Sequence, residues 1–228
     1  MSAPGSRHTH RVLIIEDHTL FAESMELTLS MEGYDVRRLP LPTEGGSMST
    51  IRSAALRANP RTVILDLDLG RFGDGTTLIN PLARSGANVV VVTASSDKGR
   101  WGACVKEGAR KVHSKGGQLR EALATVRRLH QGLPVMTKEE LEDLLDAYRT
   151  QRQAGDDMRR RLELLTPRER QVLDNLIVGI SVRDIAKSSV VYEATVRAQV
   201  KSILAKLEVS SQLAAVGMAN HVGWRHTS

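Results

Sequence analysis

Short apolar runs alternate with amphipathic stretches over the first 130 residues of the chain. Residues 12–15, 63–65 and 89–92 carry no polar alternation, which is typical of strands buried on both faces of a parallel sheet. Residues 35–39 and 110–113 are weaker strand candidates. A helical pattern follows each run, and most of these patterns end at Gly or Pro, which stop helices. The helical patterns span residues 20–31, 51–58, 76–84, 97–107 and 118–130. Five strands alternating with five helices predict an α/β doubly wound domain.

The pattern changes after residue 135. Thr137 is a candidate helix cap, and the helix that follows carries one apolar face. That face consists of Leu141, Leu144, Leu145 and Tyr148. Residues 151–157 are polar and contain Gly155, which predicts a linker whose first half alone is helical. One heptad is too short to define a coiled coil. The apolar face therefore fits a seam between two copies as well as it fits packing on the first domain.

Residues 166–221 carry clear helix boundary signals. Thr166 to Glu169 form a capping box with Pro167 at the first helical position. Ser181 is a second candidate cap, and Glu193–Leu207 and residues 211–221 are two further helical segments. These segments predict an all-α four-helix domain. The predicted organisation is an α/β domain at 11–131, a helical linker at 132–162 and the four-helix domain at 163–221.

Composition narrows the class of protein. A chain of 228 residues with 41% hydrophobic and 25% charged residues is globular and fits two small domains. One cysteine, Cys104, excludes an intramolecular disulfide and a cysteine-based zinc site, and favours the cytoplasm. The apolar runs are too short to span a membrane, so no membrane partner is expected. The net charge of +6 permits a polyanionic partner, but no basic tail is present, so particular cations must carry that argument.

Acidic side chains follow two of the predicted central strands. Glu16 and Asp17 come after the first strand, and Asp66 comes after the third. Ligands of open parallel sheets bind at the carboxyl ends of strands, so neighbouring strands would bring these carboxylates together. Clustered carboxylates require a cation, and oxygen ligands suit Mg²⁺. Thr93 and Lys115 follow the fourth and fifth strands, which suits phosphoryl transfer with Asp66 as nucleophile.

Four pieces in chain order resemble the receiver domain of response regulators over about residues 11–131. They are VLIIEDH at 12–18, VILDLDL at 63–69, VTA at 92–94, and Lys115. The resemblance implies a flavodoxin-like fold in which Asp66 is the phosphoacceptor, charged by a sensor histidine kinase. It also implies the roles of the other side chains. Mg²⁺ would be held by Glu16, Asp17, Asp66 and the backbone carbonyl of Asp68, while Thr93 would be the switch hydroxyl and Lys115 the phosphate-binding lysine.

Two other interpretations of the first domain stay open. The family usually has an aromatic switch residue three positions before its lysine, where this chain has Val112. A degenerate receiver that is no longer phosphorylated would fit that departure. The motif from Asp66 to Asp68 also fits a haloacid-dehalogenase-like phosphatase, although it lies far from the N-terminus for that family and leaves Glu16 and Asp17 unexplained.

The segment Glu193–Leu207 has the pattern of a DNA-reading helix. Its apolar residues recur at helical spacing and form one buried stripe. Arg197 and Lys201 lie four residues apart on the opposite face, with Ala198 and Ser202 beside them. Such a small, partly cationic face can enter the major groove, which is about 12 Å wide. Arg183 begins the preceding helix, where it is placed to contact the DNA backbone.

The motif LTPRERQVL at 165–173, followed by Gly179, residues 184–186, 195–196, Ile203 and 206–207, resembles the LuxR-type helix-turn-helix over about residues 163–221. With the receiver pattern, the chain resembles the NarL/FixJ class of response regulators, which are transcription regulators and not enzymes. The resemblance implies binding to paired DNA half-sites by a homodimer that forms through Leu213 and Val216. The implied DNA contacts are Arg183, Thr195, Arg197, Ala198, Lys201 and Ser202.

This segment departs from the family pattern in three places. Ser189 occupies a position that is usually leucine, Tyr192 stands where a capping serine is usual, and Gln199 replaces a frequent histidine. The first two lie in the turn before the recognition helix. A four-helix protein-binding domain with solvated charges is the alternative interpretation of this region.

Overall fold

The computed structural model describes residues 11–42 and 45–224. Five strands form one parallel sheet with the order β2-β1-β3-β4-β5. The strands are β1 (Arg11–Ile15), β2 (Asp35–Arg38), β3 (Thr62–Leu65), β4 (Asn88–Thr93) and β5 (Ala109–Ser114). The helices that follow them are α1 (Thr19–Met31), α2 (Met48–Arg57), α3 (Thr76–Arg84), α4 (Lys98–Lys106) and α5 (Leu119–His130). The flavodoxin-like, doubly wound α/β fold expected from the sequence is confirmed.

Hydrophobic cores lie on both faces of the sheet. On β1, Leu13 and Ile15 belong to one core cluster, whereas Val12 and Ile14 belong to the other. Alternate residues of a strand point to opposite faces, so a strand covered on both sides must be apolar at every position. This explains why residues 12–15 and 63–65 show no polar alternation. Burial on both faces agrees with the strand order, in which β1 and β3 are adjacent and neither lies at an edge of the sheet.

The linker region differs from the sequence-based expectation. A continuous helix, α6 (Lys138–Glu163), includes Gly155 and the whole polar stretch that was expected to be irregular. Ion pairs three or four residues apart lie along this stretch, among them Asp156 to Arg159 at 3.1 Å and Asp156 to Arg152 at 3.8 Å. Each such pair contributes about 0.2–0.5 kcal/mol, and several together offset the roughly 1 kcal/mol lost at a helical glycine. The prediction that only the first half is helical is wrong.

The first half of α6 packs on the α/β domain. Gly102 of α4 lies against this half, where an added Cβ would overlap the carbonyl oxygen of Leu144 and lie 2.8 Å from the Cβ of Tyr148. Lys111 of β5 donates to Glu140 at 2.5 Å. Of the two interpretations left open for the apolar face, the structure shows packing on the first domain.

Four shorter helices follow: α7 (Pro167–Ile177), α8 (Val182–Ser188), α9 (Glu193–Leu207) and α10 (Gln212–His221). The predicted capping box is present, because Thr166 Oγ1 accepts from the Glu169 backbone at 3.3 Å and Glu169 Oε2 accepts from the Thr166 backbone at 2.7 Å. The apolar stripe of α9 is buried with the other three helices in one core. The all-α four-helix architecture is thereby confirmed.

The chain divides into two compact units, Met1–Arg149 and Thr150–Ser228. The division falls inside α6. Among the residues that the structure describes, no helix combines the length and the apolar character needed to cross a membrane.

Candidate phosphorylation site and nucleic-acid interface

The sheet brings the predicted carboxylates together. Ile15 of β1 pairs with Leu65 of β3, so the residues that follow these two strands emerge side by side. Ligand atoms of Glu16, Asp17 and Asp66 lie within 4.8 Å of one another, and His18 is part of the same cluster. The strand order reverses between β1 and β3, which is the place where a doubly wound sheet binds its ligand.

Lys115 joins two of these carboxylates. Its Nζ donates to Asp66 Oδ2 at 2.7 Å and to Glu16 Oε1 at 2.8 Å, while the Asp66 side chain is only 2% exposed. Burial lowers the pKa of Lys115, but the hydrogen bonds to Asp66 and Glu16 and their negative charge outweigh burial and leave this pKa above its usual value. Burial raises the pKa of Glu16, and the charge of Asp66 acts in the same direction, against the bond from Lys115.

Thr93 ends β4 beside this cluster and is 2% exposed. Its Oγ1 accepts the backbone N–H of Ser95 at 3.2 Å, and its backbone carbonyl accepts from the Lys115 N–H at 2.7 Å. Val112, at the position where the family usually has an aromatic residue, is buried in the core and pairs with Val91. An aromatic side chain of α4 does reach the loop that follows Thr93, because the indole of Trp101 donates to the Ser95 carbonyl at 2.9 Å.

Asp68 and His18 lie beside the clustered carboxylates in different ways. The Asp68 carboxylate accepts the Gly70 N–H at 3.2 Å and is not among the clustered side-chain ligands, while the Asp68 N–H donates to Asp66 Oδ1 at 3.2 Å. His18 Nδ1 lies 2.9 Å from Asp17 Oδ1. Sequence reasoning missed His18, although its position directly after Glu16 and Asp17 was a usable signal.

The donor set fits Mg²⁺. The cluster offers carboxylate oxygens, the ligands that this hard cation prefers. Three carboxylates against the single ammonium of Lys115 leave an excess of negative charge, which a divalent cation would balance. A cavity of about 710 Å³ adjoins Glu16 and Asp17 and is also lined by Gly70 and Arg71. That space admits water beside Glu16 and Asp17.

In the second unit, α9 presents the predicted polar face. Thr195, Arg197, Ala198 and Lys201 are exposed, as is Arg183 at the start of α8. The Arg197 guanidinium is held by Glu193 of the same helix, with Nη2 and Nε at 2.5 Å and 3.1 Å from Oε1. An exposed pair of this kind contributes little to stability, so Arg197 can exchange this partner for another anion.

Ser202 is oriented differently from the other predicted contacts. Its hydroxyl donates to Glu169 Oε1 at 2.6 Å, and Lys206 donates to Glu169 Oε2 at 2.7 Å. The Ser202 side chain is therefore used inside the four-helix unit, where it fixes α9 to α7.

The turn before α9 combines two unfavourable choices. Val190 has φ +55°, in the left-handed region that a β-branched residue avoids at a cost of about 1–3 kcal/mol. Tyr192 is the N-cap of α9, and its side chain makes no capping hydrogen bond with any described residue. A hydroxyl or carboxylate cap there contributes about 1 kcal/mol. The sequence pattern indicated Ser189 and Tyr192 as departures but missed Val190.

The two residues predicted to form a dimer contact lie on α10. Leu213 is 82% exposed and Val216 is half-buried. Ser211 caps this helix by accepting the Ala214 N–H at 3.1 Å. An exposed leucine one turn from a partly exposed valine provides a small apolar surface on this helix.

Comparison with known proteins identifies both units. Residues 12–127 match the model of the response regulator receiver domain, and residues 163–219 match that of the bacterial regulatory proteins of the luxR family. The chain is 27% identical over 207 residues to a nitrate/nitrite response regulator protein homolog of Haemophilus influenzae, covering 90% of this chain and 93% of that protein. It is 26% identical over 208 residues to NarP of Escherichia coli, covering 90% and 92%.

A structure of the RcsB response regulator of Salmonella typhimurium aligns with a TM-score of 0.48 at 22% identity, covering 94% of this chain and 100% of that one. The model of the receiver domain alone matches half of the chain. The luxR-family model matches a later segment, which lies within the second folded unit. The chain therefore belongs to the response regulators, as a transcription regulator in which a receiver domain precedes a LuxR-type DNA-binding domain.

Proposed function

We propose that a sensor histidine kinase phosphorylates Asp66 and that this modification controls DNA binding by the second domain. The observation that carries the proposal is the buried Asp66 carboxylate, 2.7 Å from Lys115 at the point where the strand order reverses. In the transfer, an oxygen of Asp66 bonds to phosphorus as the N–P bond of a kinase phosphohistidine breaks, and the imidazole keeps the electron pair. Lys115 stays within reach of the new phosphoryl oxygens and offsets their charge.

The carboxylates of Glu16, Asp17 and Asp66, with the backbone carbonyl of Asp68, are the proposed Mg²⁺ ligands. Bound Mg²⁺ would neutralise charge on the phosphoryl group during transfer. Thr93 is the proposed switch hydroxyl. Its Oγ1 gives up the Ser95 N–H when it turns to donate to a phosphoryl oxygen, so phosphorylation changes the start of the loop between β4 and α4.

The proposed DNA-contacting residues lie at the starts of α8 and α9 and along α9. They are Arg183, Thr195, Arg197, Ala198 and Lys201, with Ser202 acting through its bond to Glu169. Paired half-sites are the expected target, read by a homodimer that forms through Leu213 and Val216. The proposed domain limits are 11–131, 132–162 and 163–221, and the cytoplasm is the expected compartment for a protein that meets both a kinase and DNA.

The first test is intact mass after incubation with Mg²⁺ and acetyl phosphate. We expect one added phosphoryl group on the native chain and none on Asp66→Asn. Asp68→Asn is the matched control, because Asp68 has the same charge, lies two residues away and stands outside the clustered side chains. A phosphoryl group retained by Asp66→Asn would show that another residue is the acceptor.

A second candidate function is DNA binding that does not depend on phosphorylation. The buried Val112 favours it, because the chain has no aromatic side chain at that position to change conformation together with Thr93. A native chain that stays unmodified with several phosphodonors, yet binds DNA specifically, would support this candidate. DNA affinity that rises with phosphorylation would exclude it.

A further inference from the structure

Two large apolar side chains stand uncovered in the turn that leads into α9. Val190 is 91% exposed and Tyr192 is 87% exposed, the highest values among the exposed large hydrophobic residues of the described chain. They lie two positions apart, and Tyr192 immediately precedes the first residue of α9. We call them the Val190–Tyr192 patch.

Folding does not explain this patch. The Val191 N–H donates to the Ala186 carbonyl at 3.0 Å and the Val190 N–H donates to the Lys187 carbonyl at 3.2 Å, the pattern of a helix end that normally requires glycine at the left-handed position. Val190 occupies that position with φ +55°. Glycine there would relieve the backbone and lose no packing, because the Val190 side chain touches so little of the fold.

The cap of α9 supports the same conclusion. The other three helices of this unit begin at hydroxyl caps, and Thr166, Ser181 and Ser211 each accept a backbone N–H from within their own first turn. A serine at position 192 would give α9 the same bond. Tyr192 instead directs a phenol ring into solvent, so both residues of the patch sacrifice stability to expose apolar surface beside the recognition helix.

Charge decides what kind of partner covers the patch. The two helices that the turn joins carry the exposed cations Arg183, Lys187, Arg197 and Lys201. The acidic residues near them, Asp184 and Glu193, are each paired with one of these cations. A surface that combines apolar side chains with a cationic surround fits duplex DNA, whose groove walls offer thymine methyl groups and deoxyribose between phosphates.

We infer that the Val190–Tyr192 patch is a specificity-determining DNA contact, which packs on a thymine methyl group and the adjoining deoxyribose at the N-terminal end of α9. The inference rests on the proposed function, in which α9 enters the major groove. The N-terminal residues of a recognition helix are those that approach base edges. Tyr192 and Val190 would thus add an apolar contact beside the contacts made by Arg197 and Lys201.

The experiment uses the full chain, with acetyl phosphate and Mg²⁺, to select duplexes from a random DNA library. Thymines of the selected duplex are then replaced one at a time by deoxyuridine, which removes only the methyl group. When the contacted thymine is replaced, the native chain should bind the duplex about three- to fivefold more weakly. This is the loss of affinity, about three- to fivefold, expected from the burial free energy of one carbon atom. Tyr192→Ser and Val190→Gly should each weaken binding to the thymine duplex about tenfold and abolish the discrimination against deoxyuridine there.

The same two variants should unfold at a higher temperature than the native chain, because each relieves a local strain or restores a cap. Opposite changes in stability and in affinity distinguish a contact residue from a structural one, and the stabilised fold removes unfolding as an explanation of weak binding. Tyr192→Phe keeps the ring and should keep the methyl discrimination. Lys201→Ala should weaken binding to both duplexes equally.

Unchanged affinity and unchanged methyl discrimination in Tyr192→Ser would overturn the inference, while a loss in Lys201→Ala would leave the proposed function standing. Weaker self-association of Tyr192→Ser in sedimentation, with DNA binding intact, would assign the patch to a protein contact and also overturn it. A native chain that enriches no DNA sequence would contradict the proposed function itself.

Discussion

Glu169 supports the second unit in two ways, since it closes the capping box of α7 and holds two residues of α9. Burial alone would raise its pKa, but hydrogen bonds from Lys206, Ser202 and Thr166 outweigh burial and lower this pKa to about 2. The sequence shows the Thr166–Glu169 spacing, which predicts the cap. It does not show that Ser202 turns inward, because that bond joins residues 33 positions apart.

The lowered pKa of Glu169 predicts a pH dependence of stability. A carboxyl whose pKa falls on folding stabilises the protein above its unfolded value of 4.5 and loses this contribution as the pH falls towards 2. We expect Glu169→Gln to lower the free energy of unfolding by at most about 3 kcal/mol at neutral pH. The difference from the native chain should shrink below pH 4.5, measured by urea unfolding followed by far-ultraviolet circular dichroism. The exposed Glu163, changed to Gln, is the matched control, and an equal effect there would contradict the assignment.

At the scale of elements, the apolar runs predicted the central strands. A strand that is buried on both faces of the sheet has no position at which a polar side chain would reach solvent. The second half of α6 was not predicted, because its glycine and its polar residues are typical of a linker. Its helicity depends on several ion pairs between side chains, which that sequence pattern does not take into account. The fit of α6 against α4 was not predicted either. It depends on Gly102, and nothing near Gly102 in sequence indicates which element approaches it.

Gly102 of α4 and Gly155 of α6 should respond in opposite directions to the same added methyl group. Gly102→Ala places a Cβ against the Leu144 carbonyl, so we expect a loss of about 1–3 kcal/mol and faster amide exchange in the first half of α6. At Gly155 the nearest atom to an added Cβ is Arg159 Nη1 at 3.9 Å, so Gly155→Ala should stabilise the helix by about 0.5–1 kcal/mol. Thermal unfolding and hydrogen exchange measure both. Tolerance of alanine at position 102 would show that α6 does not pack closely there.

Trp101 of α4 bonds to the loop between β4 and α4, so its side chain can respond to a change in that loop. The family pattern instead places an aromatic switch residue on β5, where this chain has Val112. Thr93 Oγ1 accepts a hydrogen bond from the Ser95 N–H, and the Ser95 carbonyl accepts one from the Trp101 indole at 2.9 Å. We expect phosphorylation of Asp66 to change the fluorescence of Trp101, because Thr93 then releases Ser95. Trp224→Phe removes the second tryptophan of the chain. The emission change should vanish when Asp66→Asn or Thr93→Val is added, and a change that survives Thr93→Val would exclude this route.

At the scale of the whole molecule, the receiver site and the DNA-binding domain were both predictable because each depends on side chains at the ends or on one face of local elements. Glu16, Asp17 and Asp66 needed only the strand order to meet. Assembly is a different problem, since it requires a surface on a second copy. Leu213 is the residue through which that surface can be tested, because it is exposed and lies outside the hydrophobic core that the described residues of the second unit form.

Leu213→Asp should separate phosphorylation from assembly. The charge would face a second charge across a two-fold interface, where the same patch meets itself, while the substitution leaves the buried core of the second unit untouched. We expect normal phosphorylation by intact mass, loss of the phosphorylation-dependent dimer in sedimentation, and a DNA affinity that no longer differs between duplexes with one and two half-sites. Gln212→Asp, on the preceding exposed residue, controls for the added charge. A variant that still prefers two half-sites would move the dimer contact away from α10, because two linked half-sites strengthen binding only when both copies are held together.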